Sequence, residues 1–221
     1  MTSGCLGGKP CAPCQTWRVS DPEAPTRTAR RGRPGYDRDQ ILAIAVDVFI
    51  EQGYDATSVA ALAARLGLSK SALYHHFASK EQLLSVALDE ALSGLEGVLR
   101  EPDARHGNAG ERLGYVLQRA VRVLVEKLPY VTLLLRVRGN SEVERRALER
   151  RRAFDQQVTA LVRAAQTEGS VRTDIDASVA TRLLFGMVNS LVEWYRPTGP
   201  ESSADLAADV MTVALDGLRT R

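Results

Sequence analysis

The chain has 221 residues, 44% of them hydrophobic, and a formal net charge of only +2 at pH 7. This length allows one or two domains with an ample core, and the small net charge means that any binding to DNA has to rest on local clusters of charge. No run of about eighteen apolar residues is present, and residues 1–34 lack the apolar segment of a signal peptide. A cytoplasmic protein that does not enter a membrane is therefore expected.

Residues 1–34 are predicted to be a disordered basic extension, because they are rich in Gly, Pro, Ser and Thr and have almost no periodic apolar positions. Six basic and two acidic residues give this extension a charge of +4 and leave −2 for the remainder. A basic run of this kind is usually a solvated tail. If the elements that follow it bind DNA, such a run can equally follow phosphates or enter a minor groove, and Arg31 and Arg33 are the residues expected to do so.

The same extension holds all three cysteines of the chain. Cys5, Cys11 and Cys14 form a C-x5-C-x2-C pattern, and the last two have the close spacing of a metal or redox pair. No fourth ligand lies nearby, since every histidine comes much later in the sequence. The pattern therefore predicts incidental thiols rather than a metal site.

Apolar residues recur at helical spacing from Asp37 to Gly53, which predicts a first helix that braces the elements after it. Thr57 is expected to cap a second, short helix that Gly67 ends in the left-handed conformation. Ser69 is expected to cap a third helix that turns Leu73 and Phe77 inward. Two short helices around a glycine form a helix-turn-helix, although the same arrangement also occurs in many helical proteins that do not bind DNA.

The outward side of the third helix is small and polar, with Lys70, Ser71, Ala72, Tyr74 and His75. A helix of that size fits the major groove, where such side chains can bond base edges or phosphates and an Ala methyl can touch a thymine methyl. Ser79 and Gln82 then predict a capping box at the start of a fourth, longer helix.

At the level of single residues, the run from Tyr36 to Leu84 resembles the N-terminal domain of the TetR family of one-component bacterial repressors. The matching segments are Ile41 to Tyr54, Thr57 to Val59, Leu62-Ala63, Gly67 to Ser69, Leu73 to Phe77 and Ser79 to Leu84. The resemblance implies an all-α fold of about nine helices. It divides into a three-helix DNA-binding domain at residues 35–82 and a six-helix ligand-binding and dimerisation domain at residues 83–221.

By the same resemblance, each residue of the DNA-binding unit takes the role of the matching family position. Thr57, Ser58, Tyr74 and Lys80 are expected mainly at phosphates, and Ser69 belongs to the same surface. Lys70, Ser71, Ala72 and His75 are expected mainly at base edges. The DNA partner would be double-stranded.

Later helix starts are predicted at Asn108 with Glu111, at Ser141 with Glu144, at Asp174 or Asp176, and at Ser202 or Ser203. Pro129 separates a fifth helix from a short sixth one, and nothing in the sequence is typical of a strand. This second half has no Gly-rich phosphate loop, no HExxH and no nucleophile elbow. We therefore expect neither catalysis nor a cofactor.

In the resembled family a small molecule enters between the fifth to eighth helices and moves the recognition helices apart. Candidates for the wall are Leu117, Val121, Tyr130, Leu134, Phe154, Val158, Phe185, Val188, Asn189 and Val192, with ordinary core as the alternative for each. Asn189 is an amide on a helix predicted to be mostly buried, where it needs a partner: a ligand, a helix of a second copy or a backbone carbonyl.

Seven arginines lie between Arg136 and Arg152, and their neighbouring acids do not balance all of them. A solvated helix face is one interpretation, and a phosphate-bearing ligand is the other. A second, shorter resemblance, at Tyr74 to Glu81 and Trp194 to Pro200, is to TetR-like regulators of fatty-acid and steroid breakdown. It implies an acyl-CoA as the inducer.

The eighth and ninth helices are expected to form a homodimer seam. The proposed seam residues are Val179, Leu183, Met187, Leu191, Leu206, Val210, Val213 and Leu218. A two-fold dimer predicts a near-palindromic operator with half-sites about 34 Å apart or a multiple of it. The rival interpretations are an enzyme or carrier with a vestigial helix-turn-helix, and a non-specific DNA binder without an inducer.

Overall fold

The computed structural model describes residues 36–199 and 202–218. These residues form nine α-helices and one 3₁₀ turn, with no strand among them, so the all-α prediction is confirmed. The helices are α1 (Arg38–Gln52), α2 (Val59–Leu66), α3 (Lys70–His76), α4 (Lys80–Val98), α5 (Ala109–Glu126), α6 (Leu128–Arg136), α7 (Glu142–Thr167), α8 (Ala177–Trp194) and α9 (Ser203–Leu218), and the 3₁₀ turn is Pro102–Ala104. Within the described part of the chain, every helix is too short or too polar to cross a membrane.

Most helices begin where a short polar side chain can accept a hydrogen bond from the first turn. Asp37 and Asn108 form complete capping boxes with Gln40 and Glu111, as the second was predicted to do. Of the two candidates for the start of α8, Asp176 is the cap. These caps fix the helix ends at a typical contribution of about 1 kcal/mol each.

Three predicted caps differ in detail. Ser58, not Thr57, caps α2, because the Thr57 hydroxyl donates a hydrogen bond to the carbonyl of Gly53 at 2.7 Å. Ser79 caps α4, but the Gln82 amide oxygen accepts from the N–H of Ala78 instead of completing the box. Glu144 turns its carboxylate to the loop before α7 rather than to the capping residue.

Two clusters of buried apolar side chains hold the helices together. The first joins α1, α2 and α3 to α4 and α6 and continues to α8 and α9, and the second lies among α4, α5, α7, α8 and α9. Leu83 and Leu84, just after the predicted domain boundary, are buried in the same cluster as Ile41 and Phe49 of α1. The residues from Tyr36 onward accordingly group into one compact unit.

Helix α4 runs from the DNA-binding region into the second cluster, and α6 packs against both α1 and α4. Close approach of α4 and α5 depends on Gly94, where an added Cβ would lie 2.9 Å from a Val123 methyl carbon. On its other side α4 meets α7. A movement of α6 can therefore reach α1 by direct contact, and a movement of α7 can reach the first three helices through α4.

Candidate DNA-binding surface and ligand groove

The turn between α2 and α3 has the geometry that the sequence predicts. Gly67 lies in the left-handed region at φ 63°, and the next amide, of Leu68, donates to the carbonyl of Ala63 at 2.9 Å. This conformation strains residues with a side chain, so glycine suits the position. Leu73 and Phe77, each 2% exposed, anchor α3 in the first core cluster as expected.

The outer face of α3 is available for contact with DNA. Lys70, Ser71, Tyr74 and His75 are exposed, and Ala72 is half-buried. Tyr74 keeps 49% of its surface exposed, an unusual value for a large aromatic side chain, although its hydroxyl can hydrogen-bond a phosphate. Ser69 is exposed as well, with its oxygen accepting from the amide of Ala72 at 3.1 Å. Of the residues predicted to read bases, Lys70, Ser71 and His75 are thus exposed on α3, and Ala72 is partly exposed.

Two residues predicted to contact phosphates are engaged inside the protein. Thr57 is only 1% exposed, and both its hydroxyl and its amide donate to backbone carbonyls of the α1–α2 turn. Lys80 Nζ donates to the carbonyls of Tyr54 and Thr57 at 2.9 and 3.0 Å and lies 4.1 Å from the centre of the Tyr54 ring. An ammonium has three donors, so one remains for a phosphate. Ser58 is exposed, next to this turn.

The predicted roles of Arg31, Arg33, Cys5, Cys11 and Cys14 fall outside the described residues. Within residues 36–199 and 202–218, no group of three or more His, Asp or Glu side chains could hold a metal ion.

The residues predicted to line a ligand site do not surround one common cavity. Leu117, Phe154, Val158 and Phe185 belong to the second core cluster, and Val121, Leu134 and Val188 belong to the first, with Tyr130 and Val192 packed against it. The pKa of the Tyr130 hydroxyl is raised by burial and by nearby Glu90, Asp39 and Asp47, which places it beside α1 and α4. A ligand would reach most of these side chains only if helices separated. Their role in binding stays a prediction.

Phe185 and Asn189 do border a cavity, a groove of about 630 Å³ between α7 and α8. This volume lies in the usual range of small-molecule sites. Thr159 and Thr181, joined by a 3.2 Å hydrogen bond, connect the two helices there, and Phe185 meets Phe154 edge to face at 5.4 Å. Asn189 is half-buried, and its side-chain amide makes no hydrogen bond to any described residue.

Four arginines face this groove: Arg151 and Arg152 near the middle of α7, Arg163 further along it, and Arg182 on α8. None of their guanidinium groups forms an ion pair or hydrogen bond within the described part of the chain. Among the described residues, Asp155 is the one acid that lines the groove, and burial raises the pKa of its carboxyl although Arg151 acts in the opposite direction. The groove therefore carries an excess of positive charge and can bind an anion with several phosphate oxygens.

Sequence reasoning missed Asp155, Thr159, Arg163, Ser178, Thr181 and Arg182 as groove residues. The sequence does contain a pattern that could have indicated them, a row of polar residues on each of two helices. Polar side chains follow at helical spacing from Arg152 through Thr159 to Arg163, and again from Ser178 through Arg182 to Asn189. Only the antiparallel packing of α7 and α8 brings the two rows together.

The predicted dimer seam divides into an exposed part and a buried part. Val179, Leu183 and Val213 are 42%, 63% and 66% exposed, and Met187 is half-buried. Leu191, Leu206 and Val210 are wrong as seam residues, since all three are buried in the first core cluster of the same chain. The side chain of Leu218 lies outside the described part. Trp194, 53% exposed, extends the stripe on α8 instead.

Two family models match the chain. Residues 41–87 match a model described as bacterial regulatory proteins of the tetR family, and residues 106–218 match one described as the tetracyclin repressor-like C-terminal domain. The second model alone covers more than half of the chain. The chain therefore belongs to the TetR family and is a transcriptional regulator with a helix-turn-helix, as the sequence indicates.

Individual relatives agree with this assignment. The HTH-type transcriptional repressor KstR2 of Rhodococcus jostii is 28% identical over 210 residues, which cover 90% of this chain and 98% of that protein. SCO3833, a TetR-family regulator from Streptomyces coelicolor A3, has a TM-score of 0.77 and 52% identity over 81% of this chain and 91% of its own. AibR, solved with isovaleryl coenzyme A and operator DNA, has a TM-score of 0.68 and 22% identity over 80% and 97%, a likeness of fold.

Proposed function

We propose that this regulator is a repressor that binds a palindromic operator as a homodimer and is released by a small apolar or acyl-CoA-type inducer. The observation that carries the proposal is the coexistence of two polar surfaces that are open to solvent. One is the outer face of α3, and the other is the arginine-lined groove between α7 and α8. If the face of α3 binds DNA and the groove binds an anionic ligand, the affinity for the operator can depend on that ligand. Both events would take place in the cytoplasm.

Readout of DNA by α3 is supported by how little of that helix is used for folding. Only Leu73 of its seven residues is fully buried, and the helix is fixed by its caps and by the turn at Gly67. Lys70 and Ser71 at the start of α3 are free to reach base edges, as the first turn of a recognition helix does in the major groove. We assign Ser58 and Tyr74 to flanking phosphates.

Dimerisation is supported by the exposed apolar stripe of α8, formed by Val179, Leu183, Met187 and Trp194. Exposed large apolar side chains in one row are unusual on a monomer and mark an interaction surface. A second copy of the same stripe is self-complementary across a two-fold axis, where Gly186 permits close approach of the two helices. Two recognition helices related by that axis require an operator with matching two-fold symmetry.

The acyl-CoA class of inducer is supported by the chemistry of the groove. Coenzyme A carries several phosphate charges, and four arginines whose guanidinium groups form no ion pair or hydrogen bond within the described residues supply complementary donors. Phe185 provides an apolar surface in the groove, and its ring meets Phe154 edge to face within the second core cluster, which also contains Val158. The resemblance to regulators of fatty-acid and steroid breakdown points the same way, as do the operator DNA and isovaleryl coenzyme A bound by AibR.

The DNA-binding part is tested by selecting bound fragments from a genomic library at two salt concentrations. We expect an enriched palindrome whose binding weakens about tenfold in Lys70→Ala. Arg100→Ala is the matched control, because it removes one exposed positive charge at the far end of α4. Uniform recovery of fragments that disappears with salt would instead mean phosphate binding without base readout.

The inducer part is tested by titrating acetyl-, octanoyl- and palmitoyl-CoA and free coenzyme A into the protein bound to the selected fragment. We expect thioesters to release the DNA, and Arg152→Gln or Arg182→Gln to weaken thioester binding about tenfold, the usual size for one charge-assisted hydrogen bond. Arg146→Gln is the control on the same helix, since Arg146 pairs with Glu142 and lies outside the groove. If no chain length releases the DNA, the acyl-CoA proposal fails.

A further inference from the structure

The loop between α6 and α7 is bonded directly to the DNA-binding region. The side-chain amide of Asn140 donates to the Asp55 carboxylate at 2.9 Å, in the turn between α1 and α2. Nearby, Arg136 Nη1 at the end of α6 donates to the carbonyl of Ile50 at 2.6 Å. That carbonyl is in the last turn of α1, where backbone acceptors lack a partner within the helix. The two contacts join elements 85 and 86 residues apart in the chain.

Glu144 attaches this loop to α7 by hydrogen bonds. Its side chain belongs to the first turn of α7, is only 3% exposed, and accepts hydrogen bonds from the amides of Arg138, Gly139 and Asn140 at 3.3, 2.8 and 2.7 Å. Three donors on one buried carboxylate fix the loop to the helix that carries it. The position of Asn140 consequently follows any shift of α7.

The turn that Asn140 reaches is also bonded to Lys80, the first residue of α4. Lys80 Nζ donates to the carbonyls of Tyr54 and Thr57, and the Tyr54 ring lies edge to face on Phe49 at 5.1 Å. Ser58, the cap of α2, follows this turn at once. The helix-turn-helix thus begins at a short segment that both α4 and the α6–α7 loop hold in place.

Helix α7 connects this segment to the groove. Its first turn contains Glu144, and its next turns present Arg151 and Arg152 to the groove, about 12 Å further along at 1.5 Å per residue. A helix over that distance moves as a rigid body. A ligand that draws the groove arginines together would therefore displace Asn140 relative to Asp55.

We infer that Asn140 is a positioning residue through which α7 sets the orientation of the helix-turn-helix, in addition to the α4 connection. This inference rests on the proposed function and specifies its regulation. The Asn140–Asp55 hydrogen bond is exposed and single, so it adds little to folding, yet it is made only when the loop and the turn are in register. A contact that differs between two arrangements is what couples two sites.

Coupling is reciprocal, so it can be tested with DNA alone and without knowing the inducer. Hydrogen exchange is followed by mass spectrometry on the full chain, with and without a saturating amount of the selected operator fragment. We expect DNA to slow exchange about fivefold or more in a peptide spanning residues 138–144, the lower end of ordinary coupling strengths. A peptide from residues 101–108 is the internal reference, because the 3₁₀ turn in that loop packs against α5.

Variants separate this contact from general stabilisation. In Asn140→Ala the loop amides and Glu144 are intact, and we expect the DNA effect on residues 138–144 to fall below about twofold while DNA is still bound. Asn140→Asp should lose the effect too, since two carboxylates then face each other. Adding Asp55→Asn to it should restore the effect, because the amide at position 55 then donates to the carboxylate at position 140. Asp55→Asn alone retains an acceptor and should behave as the unaltered protein. Glu142→Gln is the control on the first turn of α7.

Two outcomes would overturn the inference while DNA binding itself stands: unchanged exchange in residues 138–144 on adding operator, or an undiminished effect in Asn140→Ala. Absence of operator binding by the unaltered protein is a different result. It removes the proposed function and, with it, the regulation inferred here.

Discussion

The two long sides of α7 differ in how their charges are satisfied. Toward α4, Arg150 donates through Nε and Nη2 to Glu96 at 2.8 and 2.9 Å and through Nη1 to Asp89 at 2.7 Å. These partners raise the pKa of the Arg150 guanidinium and, in return, its hydrogen bond lowers the pKa of Asp89. Toward α8, the next two residues, Arg151 and Arg152, form no ion pair or hydrogen bond through their guanidinium groups within the described residues, although Arg151 acts electrostatically on Asp155.

This difference shows which charges serve the fold and which remain for a ligand. Adjacent residues of one type, on one helix, point to different neighbours because each step along a helix rotates the side chain by about 100°. On the α4 side, acids at Asp89 and Glu96 complete the interaction within the chain. On the α8 side, the single carboxylate of Asp155 is partly buried and does not balance the charge of the four groove arginines. Affinity for anions should accordingly be confined to the α8 side.

The largest expected effect is on stability and concerns Phe154, in the core next to the groove between α7 and α8. Phe154→Ala should lower the free energy of unfolding by about 3–5 kcal/mol, because the ring is 3% exposed and packs on Phe185, so its removal leaves a cavity. Urea denaturation measures this, with the exposed neighbour Gln156→Ala as control. A cost below about 1 kcal/mol would mean that Phe154 borders a preformed cavity, as a ligand-site wall residue would, and is not ordinary core.

The second effect compares the two sides directly. Arg150→Leu should cost about 1–2 kcal/mol, less than a buried ion pair would, because its side chain is 36% exposed and water screens the interaction. Arg152→Leu on the groove side should change stability by less than about 0.5 kcal/mol. Urea denaturation of both variants at low and high salt measures these two costs. Equal costs for the two substitutions would remove the distinction between the sides.

Much of the DNA-binding region could be predicted from the sequence because its signals are local. Gly67 in the left-handed turn, the cap at Ser69 and the inward Leu73 and Phe77 depend on neighbours a few residues away. The mistaken cap at Thr57 has a local cause too. Thr57 and Ser58 are both good caps, and in the structure the Thr57 hydroxyl donates to the Gly53 carbonyl, which leaves Ser58 as the cap.

The groove could be predicted only in part because its members are chosen by tertiary packing. The unbalanced arginine run was noticed, but the sequence did not show that Arg150 finds acids on α4, 54 and 61 residues away, while Arg151 and Arg152 do not. Likewise, the apolar residues of α8 and α9 all fit a seam by spacing. Burial of Leu191 and Leu206 against helices of the same chain separates them from the exposed Leu183.

The smallest expected effect concerns Asp155, the acid that lines the arginine side of α7. Burial raises the pKa of its carboxyl in the folded protein, with Arg151 acting in the opposite direction. Between the unfolded pKa and the folded pKa, the native state binds more protons than the unfolded state, so stability falls as the pH rises through that window. At neutral pH the ionised carboxylate is therefore slightly unfavourable.

Asp155→Asn should remove that cost, raising the free energy of unfolding at neutral pH by up to about 0.5 kcal/mol, a typical size for a partly exposed site. The gain should vanish on acidification below the unfolded pKa, where the carboxyl is protonated in both states. Urea denaturation across this pH range measures it, with the exposed Asp209→Asn of α9 as control for losing one charge. Destabilisation by Asp155→Asn at neutral pH would show instead that the carboxylate holds the groove arginines in place, and the α8 side of α7 would then be internally satisfied like the α4 side.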